Sequence, residues 1–581
     1  MKTKKLLSLT MATLMLGSIA ATTASCGKKF TDDAQSLEVY ACKTGHGIEW
    51  VEKALKAFQE KDEIKKKYPN LKVKLTSNSE HAFGATQVMS GGTTLDLVFG
   101  SGYTASNALK EYKKGQLYLE SLEDVYNSKI PDYKGGYEKN ADGEEWTYAE
   151  KMKASNPTIF ETLQMEDANG DMVHYTTATG NGKYGIVYNK TVMDSLGYAD
   201  ADGETILPRT TDELIALCEM IKAKNTDKKH YAFISSKETS YWAQGIAKTF
   251  WAQYSGYEGY ENYFNGLWLN ENGEWEVNVN VVDDDGKRAS TRVVDQVMNF
   301  RNGYIHPDTA ALGFTRAQAF LLSGNALMQA NGDWVAEELE FLRDDDTAED
   351  AVNNEIRFMN DPIISALAKD QLATVETDAE FSAVIGAIRE GKTELKGSYK
   401  VADYSGATAA WKTVEYEVSQ ADYDRIVEAN SLYSSGTSAG GVLIPSYATA
   451  KAVAKDFLIY LASDEFLEMY VEITGGAGTA FYYDVKTRNP QLFAKFNPIQ
   501  KDRIEMVAGK KSLPAVISGN YKLMYLGGYI GSTLHSMETN FYTKNDEQYK
   551  SADTLCDEVV ENYTKNNNAN WKYMLEMAKM G

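Results

Sequence analysis

The chain has 581 residues, 43 % hydrophobic and 24 % charged, a balance normal for a folded soluble protein. That length exceeds one ordinary core of about 100–200 residues, so two or more lobes are expected. A net charge of −22 argues against nucleic acid and anionic membrane surfaces as partners, because both repel it, and says little about a neutral ligand.

Lys2, Lys4 and Lys5 open the chain, and residues 6–24 follow without a charge. Broken by Ser, Thr and Gly, that run is weaker than a spanning helix of about 20 strongly apolar residues. A basic start, an apolar run and small residues before a cleavage point read as an export signal over residues 1–25. It closes on Thr23-Ala24-Ser25-Cys26-Gly27, which resembles the lipobox of bacterial lipoproteins, although members usually carry a large aliphatic residue where Thr23 stands. The resemblance implies a lipid on Cys26, a tether over 26–36 and a protein anchored at the outer face of the membrane. Plain secretion after cleavage near Ala24 is the alternative. No later segment is long and apolar enough to span a bilayer. Cys42, Cys218 and Cys556 lie far apart without a C-x-x-C, which leaves room for at most one bridge and no disulfide framework.

Beyond the tether, residues 36–41 read as a strand, 44–47 as a turn and 49–66 as an amphipathic helix with Trp50, Val51, Ala54, Leu55, Phe58 and Ile64 near one face. Residues 71–76 alternate as a strand does, a helix lies around 85–89, and 95–99 is a short buried strand before Gly100-Ser101-Gly102. This rhythm implies βαβ units and a mostly parallel sheet, whose ligands sit beyond the carboxyl ends of the strands. Residues 126–169 read as surface excursions. Residues 183–190 form a strand, and Pro208 to Glu213 starts a helix with Thr at its cap and acids in its first turn. A dense aromatic stretch runs from Tyr241 to Trp275. A helix over 317–322, a strand over 324–329 and a turn at 331–334 follow. Residues 365–430 look inserted, 440–444 read as a strand and 447–461 as a strong helix.

Four runs in this order resemble the extracellular solute-binding proteins that include maltodextrin-binding protein. They are Thr93 to Gly100; Tyr184 to Lys190 with Leu196-Gly197 and Pro208 to Glu213; Phe320 to Met328 with Gly332-Asp333-Trp334; and Gly441 to Pro445 with Ala454, Phe457, Leu461 and Gly475 to Gly478. The resemblance implies an α/β periplasmic-binding-protein-like fold of two lobes joined by hinge crossings, with a ligand cleft between the lobes. On that pattern lobe 1 spans 37–178 and lobe 2 spans 179–360. The chain returns to lobe 1 over 361–470, including the insertion 365–430, and residues 471–581 complete lobe 2 with C-terminal helices. Crossings fall near 176–184, 358–364 and 465–475.

The resemblance also implies a substrate-binding lipoprotein of an ABC importer, not an enzyme, that captures a carbohydrate, above all an oligosaccharide, and delivers it to permease subunits as a monomer. A sugar offers apolar ring faces and a rim of hydroxyls, met by flat aromatics flanked by carboxylates and amides. Trp334 in the Gly-Asp-Trp turn is the foremost stacking candidate, with Asp333 beside it as a hydroxyl acceptor; a plug for the second lobe and a helix cap are their structural alternatives. Tyr241 and Trp242 occupy a loop that often supplies an aromatic, or else fill the core, whereas Trp251, Tyr254, Tyr257 and Trp268 read as packing. Gly45 and His46 follow the first strand, Ser101 and Tyr103 follow the strand at 95–99, Asn181 precedes a crossing strand, and Tyr525 lies in a late segment that reaches the cleft in some relatives.

Asp167-Ala-Asn-Gly-Asp171 resembles the start of a calcium loop but lacks Gly at its sixth position and an acid at its twelfth, so a polar turn is preferred and no metal is assigned. The acidic runs 283–285 and 344–346 read as solvated turns. No zinc-type His spacing, Gly-x-Ser-x-Gly elbow or P-loop occurs, and no cofactor is implied. A secreted glycoside hydrolase, a polysaccharide-adhesion protein, and the same fold binding a peptide or polyamine remain as competing readings.

Overall fold

In the computed structural model the described residues are 34–43, 45–78, 93–100, 118–166, 171–264, 267–277, 283–343, 353–435, 441–513 and 537–564. They divide into two compact units. The first comprises Met1–Tyr148, Val173–Thr177 and Gly440–Ser463, and the second Ala149–Met172, Ala178–Ala439 and Asp464–Gly581.

The first unit is built on a five-stranded sheet. Strand Ser36–Cys42 is buried at every position and pairs in parallel with Lys72–Asn78 on one side and Leu97–Phe99 on the other. A strand covered on both faces reads as a continuous apolar run, whereas Lys72–Asn78, at the sheet edge, carries exposed Lys72 and Lys74, which discourage pairing with other chains. Val442–Leu443 joins Leu97–Phe99 antiparallel, and Thr176–Thr177 lies beyond it. The helix expected over 49–66 is two helices, Glu49–Glu60 and Asp62–Lys67, because Lys61 steps out to an extended backbone. Phe58 packs edge-on to Phe457 of helix Lys451–Tyr460, at 5.2 Å between ring centroids, so the returning chain closes the core of this unit.

Asp96 explains the first of the four sequence runs. Its fully buried carboxylate accepts the Glu38 amide at 3.0 Å and the Thr449 and Ala450 amides at 2.8 and 2.9 Å. One side chain thus ties strand Ser36–Cys42 to the turn ahead of helix Lys451–Tyr460. Thr94 donates to Glu38 at 2.6 Å beside it.

The second unit centres on a four-stranded sheet ordered Ile356–Met359, Tyr184–Asn189, Ala326–Gly332, Tyr231–Ile234. Only the last two of these run parallel; Tyr184–Asn189 is antiparallel to both of its neighbours, so this sheet is mixed. Helix Thr211–Lys224 starts as its sequence requires: Thr210 Oγ1 accepts the Glu213 amide at 3.1 Å, and Glu213 accepts the Arg209 amide at 2.7 Å.

Residues 365–430 belong to this second unit, not to the first, and the chain returns to the first unit only at Gly440. The reason is packing. Phe381, Ile385 and Ile426 bury in the same core as Leu217 and Trp251. Besides helices Asp378–Arg389 and Gln420–Ser431, the insertion holds a hairpin, Lys396–Asp403 with Ala410–Glu417. Arg209 anchors that hairpin, its guanidinium lying 5.0 Å from the Tyr399 ring and 5.1 Å from that of Trp411. The chain passes between the units at 148/149, 172/173, 177/178, 439/440 and 463/464.

Among the described residues no helix is long and apolar enough to cross a membrane. Cys42, Cys218 and Cys556 are buried thiols, and none of the three is paired with another. Cys26 and residues 167–170 and 344–346 lie outside the described residues, and Asp284 caps the N-terminus of helix Asp285–Met298.

Candidate functional site

Strand Ala326–Gly332 runs straight into the Gly332-Asp333-Trp334 turn and helix Val335–Arg343. At Gly332 a Cβ would fall 2.2–2.5 Å from the indole of Trp334, so only glycine lets the ring fold back over the strand end. Arg503, 4 % exposed, locks the turn: it donates to the Asp333 carbonyl at 2.9 Å and grips Glu337 at 3.0 and 2.7 Å.

Folded back, Trp334 meets two tyrosines. Its centroid is 5.6 Å from that of Tyr184 and 5.6 Å from that of Tyr241, both edge-on, and the two tyrosines are 5.9 Å apart. All three rings are only partly buried. Tyr241 immediately precedes a single π-helical turn, Trp242–Ile246, a rare irregularity found most often at functional sites. Within that turn Gly245 presses on Tyr184, and a Cβ there would lie 2.3 Å from the Tyr184 side chain. Burial and then the Glu338 charge push the Tyr241 phenol well above its ordinary range. Burial and then Asp333 raise Tyr184 to about 12. Both hydroxyls therefore stay protonated and can donate as well as accept.

The other expected residues take varied places. Asp333 is 3 % exposed, its carboxylate held against Gly182 and its charge felt by Tyr184, Tyr433 and Tyr470. Asn181 is buried in a polar network: its amide donates to the Tyr433 hydroxyl at 3.0 Å and accepts from Ser435 at 3.3 Å. Trp242 is a core residue with no exposed surface, edge-on to Phe233 at 5.2 Å. Trp251 is likewise fully buried, against Tyr260 and Tyr263. Tyr254 donates to Asp370 at 3.2 Å, and Tyr257 shares a hydrogen bond with Thr158. Gly45 and His46 form the partly buried turn between strand Ser36–Cys42 and helix Glu49–Glu60, at the carboxyl end of the strand. Ser101, Tyr103, Tyr525 and the side chain of Trp268 lie outside the described residues. Among the described residues no group of three or more His, Cys, Asp or Glu could hold a metal.

Tyr184 was not anticipated. The signal available was its place at the head of the Tyr-Gly-Ile-Val-Tyr-Asn run, three residues after Asn181. Glu338, one turn into the helix that follows Trp334, is the second unanticipated neighbour.

The family model for bacterial extracellular solute-binding proteins matches residues 47–466. No curated protein matches the sequence. Among solved structures, a chitin oligosaccharide binding protein superposes with a TM-score of 0.52 at 14 % identity, covering 94 % of this chain and 99 % of its own. The GacH receptor of Streptomyces glaucescens, solved unliganded and with acarbose, gives 0.50 at 12 % identity, covering 91 % and 97 %. RafE in complex with raffinose gives 0.46 at 16 % identity, covering 87 % and 98 %. The first two likenesses give an α/β fold of two lobes, and the family model fixes the membership: the chain belongs to the bacterial extracellular solute-binding proteins.

Proposed function

We propose that this protein captures a carbohydrate, most simply an oligosaccharide, outside the cytoplasmic membrane and passes it to the permease subunits of an ABC importer. It acts as a monomer tethered by a lipid on Cys26 and performs no chemistry of its own. The observation that carries this reading is the ring trio of Trp334, Tyr184 and Tyr241 in the second unit. Partly buried, with both tyrosines edge-on to the indole, the rings are fixed in orientation before a ligand arrives, which lowers the ordering cost of stacking a sugar face on the indole. The two protonated phenols and the Glu338 carboxylate supply donors and an acceptor for hydroxyls around such a ring. The names of two of the similar structures, one for chitin oligosaccharides and one solved with acarbose, support a saccharide ligand.

The test is a thermal-shift screen of the mature protein against neutral and acidic oligosaccharides, short peptides and polyamines, with the glycan products analysed afterwards. A ligand at a hundred times its Kd adds about 2.7 kcal/mol of stability. The proposal expects a shift with a glycan that is recovered intact. A shift with peptides alone, or cleavage of the glycan that disappears on mutating one carboxylate, would overturn it.

A further inference from the structure

The turn beside two of the three rings is held, within the second unit, by an acid from far along the chain. Glu538 has no exposed surface. Its Oε2 accepts the Ala243 amide at 3.1 Å, its Oε1 accepts the Ser235 hydroxyl at 3.2 Å, and its carboxyl also accepts the Trp242 amide. The first amides of a helix find no partner inside it, so whatever accepts them sets where the segment begins. Here the segment begins with Tyr241 and the π turn Trp242–Ile246. The Tyr241 ring centroid lies 5.6 Å from that of Trp334, and Gly245 of the same turn sits so close to Tyr184 that a Cβ would fall 2.3 Å from its side chain. A displacement of the turn therefore reaches both tyrosines.

A fully buried carboxyl is a costly acceptor for such amides, because its ionised form has left water without a counter-charge. The groups that face Glu538 are the Ser235 hydroxyl and the Trp242 and Ala243 amides, all neutral. The titratable group beside it is the Tyr542 phenol, four residues on, which burial first and then Glu538 keep protonated. Among the described residues no cation pairs with Glu538. Burial raises its carboxyl to about 8 against the pull of the donors around it. Once the charge appears, the carboxylate must draw in water or move towards it, and the turn that hangs on it moves as well.

We propose that Glu538 is a positioning residue for the solute site: protonated, it seats the π turn, and through it Tyr241 and Tyr184, against Trp334, and loss of its proton unseats them. This rests on the reading of the ring trio as the place where the solute stacks. Solute capture is then coupled to pH through a group that touches no solute. Because binding favours the protonated form, affinity is level below the carboxyl's own value and falls about tenfold per pH unit above it.

The test has one arm without solute and one with it, both on the full mature protein. In the first, the tryptophans are replaced by 5-fluorotryptophan, the Trp334 fluorine resonance is assigned with W334F, and spectra are taken from pH 6 to pH 9.5. The wild-type resonance should move with the titration of one proton near pH 8. In E538Q, which keeps the shape and an acceptor for the amides but does not titrate, it should stay still. A Trp334 resonance indifferent to pH in the wild type, or one that moves equally in E538Q, would overturn the proposal. In the second arm, N-acetylchitohexaose is titrated calorimetrically at pH 6 and pH 9. Wild-type affinity should fall about tenfold between the two, and the ratio in E538Q should be near one. Equal ratios in the two proteins would likewise overturn the proposal. The two readings fail separately: a resonance that titrates in a protein that binds no glycan counts against the solute reading alone, whereas a glycan bound alike at both pH values counts against Glu538 alone.

Discussion

Replacing Glu538 by glutamine should remove a large pH dependence of stability. Glu538 has no exposed surface, and among the described residues its partners are neutral: the Ser235 hydroxyl at 3.2 Å and the Ala243 amide at 3.1 Å, at the start of the helix that carries Tyr241. Burial raises its carboxyl from 4.5 to about 8, although the backbone amides and Ser235 pull the other way. The folded protein therefore keeps a proton that the unfolded chain has already lost. The associated stability is complete below the unfolded value, is lost as pH rises from about 4.5 to about 8, and is level above that. Each unit is worth 1.36 kcal/mol, so the window spans about 3–6 kcal/mol. Glutamine preserves the shape and can still accept the Ala243 amide, but it does not titrate. Calorimetric unfolding between pH 5 and pH 9 should show the wild type losing ground to E538Q as pH rises, with the gap widest above pH 8. Parallel curves for the two proteins would refute the reasoning.

Three further outcomes follow from particular contacts. Asp96→Ala leaves three amides of the first unit without an acceptor, at about 1–3 kcal/mol each for a buried orphan. Denaturant unfolding should therefore show that unit weakened by at least about 3 kcal/mol, and a change under 1 kcal/mol would contradict the role given to Asp96. Gly332→Ala drives a methyl group into the Trp334 ring, so calorimetric titration should show glycan affinity falling tenfold or more, about 1.4 kcal/mol, with unchanged affinity counting against the fold-back of the indole. Arg209→Ala releases the hairpin Lys396–Asp403 with Ala410–Glu417, and amide hydrogen exchange there should accelerate while glycan binding persists; unaltered exchange would deny the clamp.

Much of the fold was legible because local chemistry wrote it. Strand Ser36–Cys42 shows as an apolar run, helix Thr211–Lys224 announces itself by Thr210 and the acids after it, and the glycine before Asp333-Trp334 marks the turn that presents the indole. What escaped depends on long-range pairing. Nothing local says that Tyr184–Asn189 runs antiparallel to both neighbours, or that Phe381 and Ile426 join the core of the larger unit. Adjacent aromatics are equally opaque: Tyr241 joins Trp334 while Trp242 packs on Phe233 in the core, and the π turn that begins at Trp242 has no sequence signature. Asp96 was legible as part of a pattern, but its work as a triple acceptor needed the distant Thr449 and Ala450 to be placed beside it.

The most direct measurement is calorimetric titration of the mature protein and of W334A with the glycan that gives the strongest thermal shift. Removing a stacked indole forfeits one of the largest contacts a sugar ring can make, about 2 kcal/mol or more for an anchoring tryptophan. Wild type should bind the glycan, and W334A, with its fold intact by circular dichroism, should bind it at least thirtyfold more weakly. Equal affinity in the two proteins would mean that the solute does not rest on Trp334.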